Sequence, residues 1–410
     1  MNIDSDRLTQ ELDTLASFSD TPAPAVTRVV FSENDLKART WFKGLCTGAG
    51  LTLREDGVGN TFARWVGTEP SLGAVGTGSH IDAIPHSGKY DGTVGVLGGL
   101  EAIRALQRMA FRPRRSIELL LFTSEEPTRF GIGCLGSRLL SGVLDAKADT
   151  QLKDKAGQTL AQVRAAAGFH GSLEEVRLAP GSYDAFVELH IEQGPLLERA
   201  GIPLGVVNAI AAPASSRITI QGEGGHAGAV LMPERRDAFL AACELALAIE
   251  RAAKSTGAID TVGTVGVCDI FPSVVNGIPS RVHLETDVRD IDLARRDQVL
   301  ARIEEAVREI AGRRRVAIQS ETINQDEPSV CGSRVVDALR NACQALSLPF
   351  QDMVSRAYHD SLFMSRIAPS AMLFIPCLGG VSHRPDEYSS PEAIATGVQV
   401  LADTLKTLAS

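Results

Sequence analysis

The sequence has few aromatic residues, no long apolar run and no basic cluster, and each absence excludes a class of protein. Only 5% of its 410 residues are aromatic. No apolar stretch reaches the roughly 18–20 residues that a membrane helix needs. The 41 Lys and Arg residues are outnumbered by 50 Asp and Glu, which gives a net charge of −9. Such an acidic chain is a poor partner for nucleic acids or anionic membranes.

Cysteine is also sparse, and its arrangement argues against a disulfide framework or a thiolate metal site. The seven cysteines are odd in number, scattered, and form no CxxC pair. Such a pattern predicts free thiols in a reducing compartment. The N-terminal segment MNIDSDRLTQELDTLASF lacks the basic start and apolar core of a secretory signal and predicts an amphipathic helix instead. We therefore expect a cytoplasmic protein.

The hydrophobic pattern predicts an α/β catalytic domain. Four apolar runs are bounded by Gly-rich or polar turns, as buried strands are: 72–82, 116–126, 183–194 and 370–380. Helical periodicity lies between these runs, at 92–109, near 134–145 and at 333–347. Strands that alternate with helices predict a mainly parallel sheet covered by helices.

The middle of the chain has a different pattern. Between 212 and 326 we expect a β-α-β-β-α-β order, which is typical of a ferredoxin-like α+β domain. In the segment RVHLETDVR, apolar and polar residues alternate, which predicts a strand with one buried face. The sequence thus predicts a catalytic domain of residues 1–211 and 327–410, into which a smaller domain, 212–326, is inserted.

Potential metal ligands follow each of the four apolar runs. They are His80 with Asp82 and then Asp91, Glu125 with Glu126, His190 with Glu192, and His383. Because the carboxyl ends of parallel strands lie along one edge of a sheet, these side chains can converge. Imidazoles with carboxylates suit a pair of divalent ions such as Zn²⁺ or Mn²⁺.

The residue types also suggest individual roles. Asp91, in a Gly-flanked loop before a helix, has two oxygens with which to bridge two ions. Asp82 is placed to accept the second N–H of the His80 ring and fix its tautomer. One of Glu125 and Glu126 is expected to bind metal and the other to act as a general base. Each motif alone is commonly a loop pair or a solvated end; the hypothesis depends on their conjunction.

The chain resembles a known family, the M20-type metal-dependent amidohydrolases, and within that family it resembles the carbamoylase and ureidase branch. The segments that carry the resemblance are GSHIDAIPHSGKYDGTVGVLGGLEA, FTSEEPTRFGIGCLGSRLL, ELHIEQGPLLE, GGHAGAVLMPERRDA, NGIPS with TDVRD, and AYHDSLFM with GGVSHRPDEY. They occur in order over nearly the whole chain. These segments are most similar to those of the ureidoglycolate amidohydrolases of that branch. One feature that supports this similarity is Ala229–Met232 after HAG, where the other members of the branch typically have Thr-Thr-Pro-Met.

The resemblance implies a set of site residues. The implied ligands of two metal ions are His80, Asp91, Glu126, His190 and His383, with Asp91 bridging. The implied general base is Glu125, and Asp82 is the residue that orients His80. The implied substrate contacts are Gln193, His226, Asn276, Arg289, His359, Gly379 and Gly380. The resemblance also implies that the inserted domain closes over the site as a lid and joins two subunits into a homodimer.

Some of these contacts also have ordinary structural interpretations. Arg289 has a guanidinium that suits a substrate carboxylate, but it shares its strand face with other charges. His226 suits the stabilisation of a developing oxyanion, or else caps a helix. Asn276 is equally an ordinary turn residue, and His359 a neighbour of a helix N-cap.

The predicted function is hydrolysis of the C–N bond of a small ureido acid, with ureidoglycolate converted to glyoxylate, ammonia and CO₂. Two divalent ions per subunit are expected as cofactors, Mn²⁺ or Zn²⁺, with Co²⁺ or Ni²⁺ as alternatives. The alternatives for activity are N-carbamoyl-L-amino acid hydrolase, allantoate amidohydrolase and, more distantly, an M20-type deacylase or exopeptidase. A non-catalytic dimeric binding protein is the rival from another class.

Overall fold

A computed structural model describes residues 2–410, which divide into two compact units. The larger unit contains the chain up to Asn208 together with Cys331–Met353 and His359–Ser410. The smaller unit contains Ala209–Val330 and Val354–Tyr358. Among the helices of the described chain, none has the length and apolar character required to cross a membrane.

The strands and helices are numbered in chain order. The strands are β1 (Val26–Arg28), β2 (Thr52–Glu55), β3 (Thr61–Trp65), β4 (Ala74–His80), β5 (Ala83–Ser87), β6 (Ile117–Phe122), β7 (Tyr183–Ile191), β8 (Gly205–Ile210), β9 (Ala212–Gln221), β10 (Gly225–His226), β11 (Val262–Phe271), β12 (Gly277–Ile278), β13 (Arg281–Asp290), β14 (Ala317–Gln325), β15 (Ser329–Val330), β16 (Gln351–Ser355) and β17 (Ser370–Ile375). The helices are α1 (Ser5–Ser17), α2 (Glu33–Gly48), α3 (Thr93–Arg108), α4 (Leu135–Ser141), α5 (Ala148–Gln151), α6 (Leu160–Ala166), α7 (Leu196–Ala200), α8 (Ala238–Lys254), α9 (Leu293–Arg314), α10 (Ser333–Ala345), α11 (Asp360–Met364) and α12 (Pro391–Ala409).

The large sheet has nine strands in the order β15-β8-β17-β7-β4-β6-β3-β2, with β16 paired to β8. Its four central strands, β17, β7, β4 and β6, run parallel and are the four apolar runs predicted from sequence. The sheet as a whole is mixed, since β2, β3 and β8 pair antiparallel with their neighbours. The expectation of a mainly parallel sheet therefore holds only for the centre. An antiparallel neighbour needs only a short turn, such as the one between β2 and β3, whereas a parallel one needs a crossover.

Helices cover both faces of this central sheet. Leu120 and Phe122 of β6 pack in a buried cluster with Leu135 of α4. The intervening face of the same strand lies against α3, where Leu119 closely approaches Gly99. Because successive side chains of a strand point to opposite faces, this alternation places the two helices on opposite sides. Burial on both faces explains why β4, β6 and β17 contain only buried residues.

The smaller unit has a four-stranded antiparallel sheet in the order β11-β13-β9-β14. The helices α8 and α9 contribute to its core, which includes Leu245, Ile249 and Val299. The strand β13 alternates as its sequence predicts, with Val282, Leu284 and other even-numbered residues buried and the odd-numbered ones more exposed. The order of strands and helices along the chain is the predicted β-α-β-β-α-β, with two short extra strands, β10 and β12.

Candidate metal centre

The parallel strands of the larger unit bring the predicted ligands to one edge of the sheet. His80 ends β4, and His190 is the penultimate residue of β7. Glu126 follows the end of β6, and His383 follows β17 beyond the turn Leu378–Gly380. Because these four strands are adjacent and parallel, their carboxyl ends and the loops that follow them meet.

Asp91 lies at the centre of the cluster. Its Oδ1 atom is 3.6 Å from His80 Nε2 and 3.3 Å from His190 Nε2. Its Oδ2 atom is 3.2 Å from His383 Nε2, which is in turn 3.1 Å from Glu126 Oε1. The ligand atoms thus form two triads that share Asp91, each with all its atoms within 4.8 Å of one another. This is the arrangement in which a single carboxylate can bridge two ions.

The hydrogen bonds of the imidazoles test whether these residues fit a cation. The Nδ1 atom of His80 lies 3.0 Å from the carbonyl oxygen of Asp82, and that of His190 lies 2.9 Å from the carbonyl oxygen of Ile191. Since a carbonyl only accepts, both Nδ1 atoms carry the proton and the Nε2 atoms present lone pairs. The Gly92 N–H donates to His190 Nε2 at 3.1 Å, which agrees with this tautomer. Lone pairs that face the Asp91 carboxylate fit a divalent cation.

Without a cation, the same proximity favours extra protons on the imidazoles. Burial opposes the charged form of His80, but the carboxylates of Glu125, Asp91 and Asp82 outweigh it and raise the pKa of His80 well above its ordinary value. Hydrogen bonds to Asp91 and Glu126 raise the pKa of His383 to about 11. Burial alone would raise the pKa of Asp91, yet its hydrogen bonds with the three histidines hold that pKa well below its usual range. The cluster is therefore built around concentrated negative charge.

Asp82 acts differently from the sequence expectation. The group that fixes the His80 tautomer is the backbone carbonyl of Asp82; the carboxylate is 3.7 Å from the ring nitrogen. The carboxylate instead accepts the backbone N–H groups of Glu125 at 3.2 Å and Glu126 at 3.1 Å. The physical reason is that the two backbone N–H groups after β6 occupy both carboxylate oxygens, so that the backbone carbonyl is the acceptor next to the ring.

Glu125 lies beside the cluster without joining either triad. Its Oε2 atom is 3.7 Å from His80 Nε2, and Oε1 lies 3.4 Å from the Cys134 Sγ atom. Burial, which outweighs the opposing effect of His80, raises the pKa of Glu125 well above its ordinary value. Glu126 thus lies within contact distance of His383, whereas Glu125 stays outside both triads.

Two further predicted residues also contact the cluster. The Gln193 amide donates to Asp91 Oδ2 at 2.6 Å, while its buried Oε1 has no hydrogen-bond partner. The ring of His359 lies 4.5 Å from that of His190, centroid to centroid, and is buried. His359 directly precedes α11, but its side chain makes no capping hydrogen bond to that helix.

Other predicted residues are engaged elsewhere. The N–H of Gly379 donates to Glu198 Oε2 at 2.8 Å, and the N–H of Gly380 donates to the Cys377 carbonyl at 3.1 Å. Glu192 accepts the backbone N–H groups of Leu196 and Leu197, at the start of α7, and so belongs to neither triad.

The remaining predicted contacts belong to the smaller unit. His226 is exposed, and it pairs within β10 against Gly277 of β12, next to Asn276. His226 does not cap α8, which begins only at Ala238 and has Asp237 as its N-cap. Arg289 forms a two-pronged ion pair with Asp287, at 2.8 and 3.0 Å.

Sequence reasoning does not identify Glu387, which is buried at the same strand edge. Its carboxylate accepts the backbone N–H groups of Tyr90 and Asp91 on one side and contacts Ser382 and His383 on the other. The only signal available was its spacing, four residues after a candidate ligand, and that spacing has no distinctive meaning by itself.

The chain is similar to known proteins over nearly its whole length. Residues 76–407 match the pattern of "Peptidase family M20/M25/M40". A ureidoglycolate hydrolase of Oryza sativa subsp. japonica is 54% identical over 98% of this chain and 84% of its own length. A ureidoglycolate hydrolase of Arabidopsis thaliana is 53% identical over 100% of this chain and 87% of its own length. An N-carbamoyl-L-amino acid amidohydrolase of Geobacillus stearothermophilus is 37% identical over 99% of both chains.

Solved structures agree with these relatives. The crystal structure of AtUAH in complex with glyoxylate is 53% identical and covers 100% of this chain and 98% of its own, with a TM-score of 0.92. The structure of AtUAH in complex with (S)-hydroxyglycine matches with the same values.

Proposed function

We propose that this chain, which belongs to peptidase family M20/M25/M40 and is a hydrolase, hydrolyses the ureido C–N bond of ureidoglycolate. The observation that carries the proposal is the identity of 53–54% with two ureidoglycolate hydrolases over nearly the whole chain. The five side chains expected to bind metal also lie together at one strand edge.

Two divalent ions, Mn²⁺ or Zn²⁺ in the first instance, suit the two triads. His80 and His190 would hold one ion, Glu126 and His383 the other, and Asp91 both. When bound, such ions polarise a carbonyl and lower the pKa of water. The support is the orientation of the ring nitrogens and the two overlapping groups of ligand atoms.

The residues of this chain then have separable tasks. Glu125, which lies outside the triads and whose pKa is raised by burial, takes a proton from the attacking water and delivers it to the leaving nitrogen. Attack of water on the carbamoyl carbon breaks its bond to the substituted nitrogen. The fragments are carbamate and an α-hydroxy-amine. The carbamate decomposes to CO₂ and ammonia, and the α-hydroxy-amine decomposes to glyoxylate and ammonia. Gln193, with one unpartnered amide oxygen, is placed to accept a substrate N–H.

The smaller unit is proposed to supply the remaining substrate contacts and to close as a lid. The residues proposed for those contacts are His226, Asn276 and Arg289, with His359, Gly379 and Gly380 from the larger unit. The same unit is proposed to join two subunits, because its edge strand β11 carries exposed apolar side chains such as Val267 and Phe271. All seven cysteines are free, which supports a reducing compartment such as the cytoplasm.

The test is a screen of ammonia release. The purified chain, supplied with Mn²⁺, is incubated separately with ureidoglycolate, allantoate, N-carbamoyl-L-amino acids and an N-acetyl amino acid. We expect turnover of ureidoglycolate with formation of glyoxylate. Faster turnover of an N-carbamoyl-L-amino acid or allantoate would instead assign the chain to its more distant relatives, and release of acetate without ammonia would assign it to the deacylases. No turnover and no bound metal would favour a binding protein.

A further inference from the structure

Glu387 lies between the two loops that carry Asp91 and His383. Its Oε1 atom accepts the backbone N–H groups of Tyr90 at 2.8 Å and Asp91 at 3.1 Å. Its Oε2 atom accepts the Ser382 hydroxyl at 2.8 Å and the His383 N–H at 3.3 Å. The side chain is buried, at 5% exposure. One carboxylate therefore joins two segments that are almost three hundred residues apart in the chain.

These two loops need such a connection because neither ligand lies on a strand. Asp91 stands between β5 and α3, and His383 stands beyond β17, so the ladder of the sheet does not fix their separation. His383 also has a φ of 59°, which is uncommon for a residue with a side chain and persists where the surrounding structure holds it. The Ser382 hydroxyl, 2.6 Å from Asp91 Oδ2, makes a second contact across the same gap.

The loop before Asp91 leaves room for this carboxylate. A Cβ atom placed on Gly88 would lie 2.3 Å from the Cβ of Glu387 and 2.5 Å from its Oε1. These atoms of Glu387 are the nearest obstacles, so the absence of a side chain at Gly88 admits Glu387 specifically. The two residues thus form one packing unit beside the ligands.

We propose that Glu387 is a positioning residue for the metal centre, which sets the distance and orientation of Asp91 relative to His383 by binding the backbone of both loops. This inference rests on the proposed function, since it takes the two triads to be metal sites. Partners outside the ligand shell typically change metal affinity by about 10- to 100-fold when they are removed.

The experiment measures Co²⁺ binding to the full chain after its metals are removed by a chelator, with no substrate present. Glu387→Ala is expected to weaken Co²⁺ binding by about 10- to 100-fold and to change the visible absorption spectrum of the bound ion. Glu387→Gln, which keeps the shape and one acceptor oxygen, is expected to restore part of the affinity. Gly88→Ala should act in the same direction as Glu387→Ala. The matched control is Asp386→Asn, which removes a neighbouring exposed charge and should leave both readouts unchanged.

The outcomes separate this inference from the proposed function. Wild-type affinity and spectrum in both Glu387→Ala and Gly88→Ala would overturn it, as would an equal loss in Asp386→Asn. If Glu387→Ala does not fold by circular dichroism, Glu387→Gln and Gly88→Ala decide. A wild-type chain that binds Co²⁺ but does not hydrolyse ureidoglycolate would reject the substrate and leave the test of Glu387 valid. A wild-type chain that binds no Co²⁺ would overturn both.

Discussion

The Asp82 carboxylate accepts the backbone N–H of Glu126 at 3.1 Å, and this bond ties the end of β4 to the loop after β6. The second oxygen of the same carboxylate accepts the N–H of Glu125. A charged acceptor thus holds both members of the glutamate pair in place. Since the Asp82 backbone carbonyl holds the ring of His80, one residue positions three functional side chains.

Replacement of Asp82 is expected to separate these roles. Asp82→Ala leaves two buried N–H groups without an acceptor, which costs about 3 kcal/mol of unfolding free energy, while the carbonyl contact to His80 persists. We expect turnover to fall by about 10- to 100-fold. Asp82→Asn, which keeps one acceptor, should lie between Ala and wild type. Stability is measured by urea unfolding and turnover by steady-state ammonia release. Wild-type stability and turnover in Asp82→Ala would contradict the positioning role of Asp82.

Glu125→Gln should remove the proposed proton carrier without removing a ligand. Because general acid–base catalysis contributes roughly 10²- to 10⁴-fold, we expect turnover to fall at least about 100-fold. Metal content, measured by elemental analysis, should remain that of the wild type. Glu126→Gln is the comparison, since it should lose bound metal as well as turnover. Normal activity in Glu125→Gln would reject the mechanism.

Metal uptake by the chelated chain is expected to release protons. Hydrogen bonds to Asp91 and Glu126 raise the pKa of His383 to about 11, so its imidazole is protonated at pH 8 before an ion binds. A ligand nitrogen must be deprotonated, and apparent affinity should therefore rise with pH. Calorimetric titration with Zn²⁺ in buffers of different ionisation enthalpy measures the protons released. Uptake with no release would contradict the prediction.

The stability of the metal-free chain should change with pH in the opposite sense. A histidine whose pKa is raised by folding stabilises the fold fully below its unfolded pKa of about 6.5, and this stabilisation is lost as the pH rises toward about 11. We expect the unfolding free energy of the chelated chain to decrease between pH 7 and pH 10. His383→Asn should flatten that decrease, since the asparagine cannot be charged. Denaturant titrations across this range provide the measurement.

Arg289 is expected to contribute to substrate binding through its planar guanidinium. Two guanidinium nitrogens of Arg289 donate to the two carboxylate oxygens of Asp287, and this contact orients the guanidinium. A lysine cannot reproduce this bidentate geometry. Arg289→Lys should raise the KM for ureidoglycolate about tenfold, the equivalent of about 1.4 kcal/mol of binding, with a smaller change in kcat. The control is Arg281→Lys on the same face of β13. Equal effects of both substitutions would argue against a substrate contact.

The proposed dimer predicts a sensitive position on β11. Val267 is exposed on this edge strand, where a second copy of the chain would pair or pack. Val267→Lys places a charge on that edge, which opposes association between strands. We expect the sedimentation behaviour to change from dimer to monomer. Val143→Lys, an exposed position of the larger unit, should leave it unchanged; a monomeric wild type would remove the proposal.

The expected metal ligands could be predicted from the sequence more fully than the residues that position them. His80 and His190 were predictable because each stands at the end of an apolar run, and hydrophobic burial alone identifies such runs as central strands. The alternation of buried and more exposed residues in β13 was also predictable, because it follows from the local pattern of apolar and polar residues. Gln193 was predicted only by family resemblance, since its hydrogen bond to Asp91 crosses between loops.

The sequence by itself determined which strands are buried, where they end and which ligand types follow them, because burial and periodicity are local properties of the chain. Only the tertiary structure decided that Asp91 lies between three imidazoles, that the Asp82 carbonyl rather than its carboxylate meets His80, and that Glu387 joins two distant loops. These contacts depend on how loops turn after leaving the sheet. Their positions are fixed by hydrogen bonds between remote segments, for which the local pattern carries no signal.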